Sequence, residues 1–284
     1  MKAGLFVLLA VLTTWFLAVW IACARRTGET APPSNHTLYH TIVGFVFGFL
    51  DTLGLGNFAP TTAAFKLRGT VPDEHIPGTL NVGYALPTIF QAFIYISIVE
   101  VDEWTLVLMI AAAVLGAWLG AGVVARWPRR NIQIGMGTAL LLAAVIMTVR
   151  QAEVGPSGGD SLALAGPLLA LALAGNFVLG ALMTLGIGLY APCLLLVSLL
   201  GMNPRAAFPI MMGSCAALMP VGSVRFLRAG SYQKSAALAL TLAAIPALLI
   251  AAYLVREMSL TALHWLVVAV VLYTSVLMLR SAFR

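Results

Sequence analysis

The chain has 284 residues, 61% of them hydrophobic and only 9% charged, and its mean hydropathy is +0.99. A soluble domain carries about 25% charge, so this composition excludes a water-facing globular fold, and it excludes disorder, which needs low hydrophobicity. The net charge of +6 argues for Lys- and Arg-bearing cytoplasmic loops rather than a nucleic-acid footprint. The class is an all-α polytopic membrane protein.

In chain order, the apolar segments are 3–24, 41–68, 78–98, 104–125, 131–149, 162–203, 206–224, 235–255 and 258–279. The first begins after Lys2 and ends at Ala22-Cys23-Ala24. It exceeds the roughly 7–15 apolar residues of a signal peptide, so we read it as a retained helix, with cleavage as the alternative. Long polar stretches occur only at Arg25–His40, Lys66–Pro77 and Arg150–Asp160. Cys23, Cys193 and Cys215 lie in apolar runs without metal-like spacing. Trp15, Trp20, Trp104, Trp127 and Trp265 stand towards segment ends, as interfacial anchors do.

Two segments are irregular. The segment 41–68 carries Asp51 and the run Gly54-Leu55-Gly56-Asn57. The segment 162–203 is too long for one span and carries Gly166-Pro167, Gly175-Asn176 and Gly186-Ile187-Gly188, each read as a break. Gly48–Pro60 aligns without a gap to Gly180–Pro192, with eight of thirteen positions identical. Three ordinary helices follow each, with Pro87 and Pro220 at similar places. The expected organisation is an extra helix and polar linker over 1–40, one repeat over 41–150, a lead-in over 151–172 and a second repeat over 173–284.

Positive residues favour cytoplasmic loops and so test the topology. With the Arg126, Arg129, Arg130 loop inside, two re-entrant segments place 12 of the 16 Lys and Arg residues inside. Two crossing segments divide them evenly. The favoured arrangement is therefore two inverted repeats, each a re-entrant broken-helix hairpin plus three transmembrane helices. Residues 162–174 are then an interfacial or tilted lead-in. This arrangement puts the N-terminus outside, against Lys2.

Non-helical backbone in hydrocarbon survives only inside protein or beside a water-filled cavity. Glycine permits the sharp break. Pro60 and Pro192 suit the first turn of a new half-helix, starting near Asn57–Pro60 and Leu189–Pro192. Such a start presents unpaired N–H groups and the positive end of the helix dipole, which suit an anion. This is the design of transporters with discontinuous helices. The candidate substrate-binding residues are Gly54, Gly56, Asn57, Thr61 and Thr62 in one copy and Gly186, Gly188 and Tyr190 in the other. The competing reading is that the glycines only permit close helix packing, as at Gly44–Gly48 and Gly116–Gly120.

Asp51 is a carboxylate in an apolar arm, a functional candidate by default. It is read as a proton or cation coupling site, or else as a locally hydrogen-bonded acid; its counterpart is Met183. Asn81 and Ser214 line the site or make ordinary interhelical hydrogen bonds; Gln91 is less specific. Arg225 belongs with Arg228 and Lys234 as a cytoplasmic flank. His36 and His40 are spaced for a shared metal but lack a third ligand. No metal, cofactor or nucleic acid is expected. No catalytic or P-loop motif occurs, so an enzyme is not expected.

The paired motifs, Gly44, Gly48, Gly54, Gly56 and Pro60, then Gly180, Gly186, Gly188 and Pro192, resemble the TauE/SafE sulfite exporter family over about 41–282, with Met1–His40 as an extension. The resemblance implies a multi-pass permease of the bacterial inner membrane. It also implies a substrate class: sulfite, organosulfonates and related small anions. The expected function is secondary transport of such an anion, possible homodimerisation falling to helix 3–24, which otherwise packs peripherally in the bilayer. The rivals are a passive anion channel and a membrane scaffold or assembly factor.

Overall fold

The structure, a computed structural model, describes residues 2–26, 36–124, 159–183 and 189–282, with isolated positions between 130 and 148. Among these, ten α-helices have defined bounds: α1 (Lys2–Arg26), α2 (Thr37–Thr52), α3 (Phe58–Arg68), α4 (Ile76–Ile98), α5 (Glu103–Val124), α6 (Gly166–Met183), α7 (Tyr190–Leu199), α8 (Ala207–Ala229), α9 (Lys234–Glu257) and α10 (Leu260–Ala282). The described positions between 130 and 148 are also helical. Among the described residues, the one β feature is an isolated bridge between Ser161 and Met202.

Five of the described helices are long and apolar enough to cross a membrane: Lys2–Arg25, Ile76–Ile98, Gly166–Met183, Pro204–Ala229 and Lys234–Val255. The protein is therefore a multi-pass helical membrane protein. The first irregular segment is divided into α2, of 16 residues, and α3, of 11. Neither reaches the roughly 20 residues a straight span requires. The second is divided unequally. Its first arm, α6, has 18 residues and qualifies as a span on its own, whereas α7 has 10.

The break expected at Gly175-Asn176 does not occur, because α6 runs through both residues. A helix tolerates them since each has a packing role. A Cβ on Gly175 would lie 2.7 Å from Leu196 Cδ2, and the Asn176 amide donates to the Met109 carbonyl at 2.7 Å. Gly166, with φ of 55°, does stand at a helix boundary. Residues 166–174, expected as a lead-in, are the first half of α6.

The chain folds as two compact units, Met1–Ile94 with Cys215–Leu254, and Tyr95–Ser214 with Val255–Arg284. In the first, α2 crosses α9 through glycine. A Cβ on Gly44 would lie 2.8 Å from Leu240 Cα, and one on Gly48 would lie 2.7 Å from Ala244 Cβ. Close backbone approach of this kind supplies the dispersion contact that associates helices in lipid. α4 contains Pro87, which cannot donate to the Gly83 carbonyl. The Thr241 hydroxyl of α9 takes that role, donating to Gly83 O at 2.6 Å. α1 joins this unit through buried Leu5, Leu9 and Phe16 and a Phe6–Phe93 stack at 5.6 Å.

In the second unit, α5 crosses α6 through two glycines facing opposite ways. A Cβ on Gly116 would run into the Phe177 carbonyl, and one on Gly180 into the Ala113 carbonyl. Asp102 caps α5, accepting from Thr105 N at 2.8 Å and Thr105 Oγ1 at 2.9 Å. The segment before α6 forms a strap. Leu162 O accepts from Asp102 N at 2.9 Å, Leu164 N donates to Thr105 Oγ1 at 3.2 Å, and Ser161 O accepts from Asn203 N at 2.8 Å. Arg205 closes the far end by donating to the Met258 carbonyl, just beyond α9.

Candidate functional site

α2 ends where its backbone carbonyls run out of regular donors. Leu53 N and Leu55 N both turn back to Leu50 O, at 3.2 and 3.1 Å, and Gly54 N bonds Asp51 O at 2.9 Å. Gly54 and Gly56 then take φ of 94° and 77°, a left-handed backbone that glycine adopts without a Cβ penalty. The chain re-enters helix at Phe58 with Asn57 at the cap position, and Pro60 falls in the first turn. The Asn57 side chain makes no capping bond; the Asn57 backbone carbonyl accepts from Thr61 N at 3.0 Å. α3 stops at Gly69, left-handed with φ of 59°, with Lys66 and Arg68 in the last turn. The Arg68 guanidinium lies 4.5 Å over the Tyr39 ring.

A buried polar cluster surrounds this break. Asp51 is 3% exposed, and its carboxyl accepts from Gln91 Nε2 at 3.1 Å. The backbone N–H of Asn57 also donates to it. The same Gln91 nitrogen donates to Thr52 Oγ1 at 2.8 Å, and the Thr52 hydroxyl donates to Gly48 O at 2.8 Å. Thr61 and Tyr84 share a hydrogen bond at 3.0 Å, and the Tyr84 hydroxyl is within electrostatic reach of Asp51. Asp51, Thr52, Asn57, Thr61, Tyr84 and Gln91 thus form one group drawn from α2, α3 and α4.

Of the residues expected in this copy, Asp51, Gly54, Asn57 and Thr61 are buried at the break, and Gly56 and Thr62 are half-buried. Asn81 is not in the cluster. Its amide donates to the Pro77 carbonyl of its own helix at 2.8 Å. Two residues not singled out for the site, Tyr84 and Thr52, belong to it, and Gln91 is central. The signal was present as spacing: Tyr84, Thr88 and Gln91 recur at helical intervals along one face of an apolar helix.

In the other copy, Gly186 and Gly188 lie outside the described residues. α6 ends at Met183 and α7 begins at Tyr190, with Leu189 at its cap position and Pro192 in its first turn. Tyr190 is buried. Ser214 accepts from Asn176 Nδ2 at 3.4 Å and donates to Ile210 O at 2.8 Å. Among the described residues, the buried Asn176 Oδ1 atom has no hydrogen-bond partner. The His36 and His40 rings are tilted by 54° with centroids 6.2 Å apart. Among the described residues no group of three His, Cys, Asp or Glu comes together.

A carboxyl buried beside a helix restart, in a chain with five candidate spans among its described residues, is membrane-transport architecture. The family model described as sulfite exporter TauE/SafE matches residues 1–147, just over half of the chain. The chain belongs to the TauE/SafE family. As a member it is a membrane permease. The match takes in Met1–His40, which the motif resemblance set aside as an extension, and it ends before the second motif. No curated protein and no solved structure matches the chain.

Proposed function

We propose that this TauE/SafE permease is a secondary transporter of the bacterial inner membrane that moves a small sulfur-containing oxyanion, sulfite or an organosulfonate. The anion is held at the N-terminus of α3, where the first-turn N–H groups have no partner within the helix. Thr61 and Tyr84 supply hydroxyls beside it, and Asp51 is the coupling group. The observation that carries this reading is the break itself: helix stops at Thr52, restarts at Phe58, and encloses a buried carboxyl. The family description supplies the sulfur oxyanion.

A packing-only role for the glycines accounts for less. Gly44 and Gly48 do meet a neighbouring backbone, but a Cβ on Gly56 would meet nothing within 4 Å. Its requirement is conformational, which favours a shaped site over a scaffold. The duplication into 41–150 and 173–284 draws support from the parallel crossings of Gly48 on Ala244 and Gly180 on Ala113. In each, the first arm of one broken segment packs on the second helix following the other. The outward apolar side chains of α1, Val7, Leu8, Val11 and Ile21, are assigned to lipid.

The test is a thermal-shift screen of purified protein against sulfite, sulfate, thiosulfate, taurine and sulfoacetate. At least one anion should raise the melting temperature, and Gly56→Ala should abolish that rise by straining the break without a clash. A flat response to every anion would favour the scaffold reading.

A further inference from the structure

The partners of Asp51 also have a polarity, and it restricts what can couple to the anion. The Thr52 hydroxyl has one hydrogen, which it gives to Gly48 O at 2.8 Å. Its oxygen can therefore only accept from whatever approaches next. Gln91 approaches at 2.8 Å, so it must present its NH2 group there, and a flipped amide would set two acceptors against each other. The same nitrogen faces Asp51 at 3.1 Å. Thr52 thus fixes Gln91 as a donor towards the carboxyl, and the Asn57 N–H is a donor as well. The titratable group facing Asp51 is the Tyr84 hydroxyl from α4, and among the described residues no Lys, Arg or His is a partner of the carboxyl. α9 brings alanine, Ala244, to the adjoining Gly48.

A metal cation needs oxygen acceptors around it, and this carboxyl is met by donors. We propose that Asp51 is the resident anion of the α3 terminus, held there by Gln91 and Thr52, and that an incoming oxyanion binds only as Asp51 takes a proton from water. This rests on the anion site proposed above. The physical reason is that two negative charges, one on Asp51 at the Asn57 N–H and one at the N–H groups that follow it, repel strongly in a low-dielectric interior. Proton uptake removes one of them. Gln91 and Thr52 are positioning residues: they act on the anion through Asp51.

The experiment titrates the purified full-length protein with sulfate and with thiosulfate, whose charges stay constant across the pH series. Wild-type affinity should fall about tenfold per pH unit on the alkaline side. Asp51→Asn should bind both anions with a flat pH profile, at the affinity the wild type shows in acid. Replacing Na+ by choline should change nothing. Thr52→Val, which removes the acceptor that orients the Gln91 amide, should weaken its hold on the carboxyl and raise affinity at the alkaline end. A pH-independent wild type, a slope retained in Asp51→Asn, a requirement for Na+, or a Thr52→Val curve superimposed on wild type would each overturn the proposal while leaving the anion site standing. Failure of these two and of every other anion in the thermal-shift screen to bind at any pH would remove the site as well.

Discussion

The two broken segments share a mechanical plan and differ in chemistry. α2 and α6 each lie against another helix through a glycine, Gly48 on Ala244 and Gly180 on Ala113. Beyond that glycine the two diverge. α2 ends on buried Asp51, paired with Gln91, whereas α6 ends on Met183, and the residue corresponding to Gln91 by the Pro87–Pro220 alignment is Val224. Two positions that are polar in one half are thus apolar in the other by sequence. The buried polar residue of α6 is instead Asn176, lower on its helix and bonded to the Met109 carbonyl. Both segments keep the glycine crossing. The carboxyl is costly to bury and is present once.

The largest effects should come from the shared crossing. Gly180→Ala drives a methyl group into a backbone carbonyl that cannot move aside, and should cost about 3 kcal/mol of stability. Gly48→Ala meets the Ala244 methyl at 2.7 Å and its Cα at 2.9 Å, and a small shift of α9 should hold the cost to about 1 kcal/mol. Thermal melts of the two variants in the same detergent measure this. Equal losses would mean that the two crossings are equally tight.

The asymmetric pair makes the next prediction. Asp51→Met alone removes one of the acceptors of the Gln91 amide, which keeps its bond to Thr52 Oγ1, and should cost about 1 kcal/mol. Adding Gln91→Val, the residue found at the aligned position of the second half, should recover most of that loss, because both partners of the hydrogen bond are then replaced. Transport should stay absent in both variants. A double variant no more stable than the single one would show that the pair is not an independent exchange. An effect of similar size is expected at the edge of the cluster. Tyr84→Phe removes the 3.0 Å bond to Thr61 and should lower stability by about 1 kcal/mol. The same melts read it, and an unchanged melting temperature would place Tyr84 outside the cluster's energetics.

Much of the fold was legible because lipid enforces a simple code. An apolar run of sufficient length forms a helix, since no other structure satisfies the backbone there. Thus the segment 78–98 appears as Ile76–Ile98, and 235–255 as Lys234–Glu257. The break at Gly54–Gly56 was legible because positive φ is written in glycine. Gly175-Asn176 was misread because glycine has a second use, close packing, and only the neighbour Leu196 distinguishes the two. Asn81 lies outside the cluster for a related reason. A polar side chain can satisfy itself on its own helix, and the bond to Pro77 O does so.

By itself the sequence determined the class, the positions of unbroken helices such as Ile76–Ile98, the first break and the acid beside it, because each depends on local composition or on backbone geometry that one residue type permits. Tertiary structure decided what that acid touches. Gln91 lies 40 positions from Asp51 along the chain, and its helical spacing with Tyr84 and Thr88 marks a polar face without saying what that face meets. Its donor orientation is set by Thr52, whose hydroxyl is committed to Gly48 O, and a hydrogen-bond direction of that kind exists only once the helices have packed.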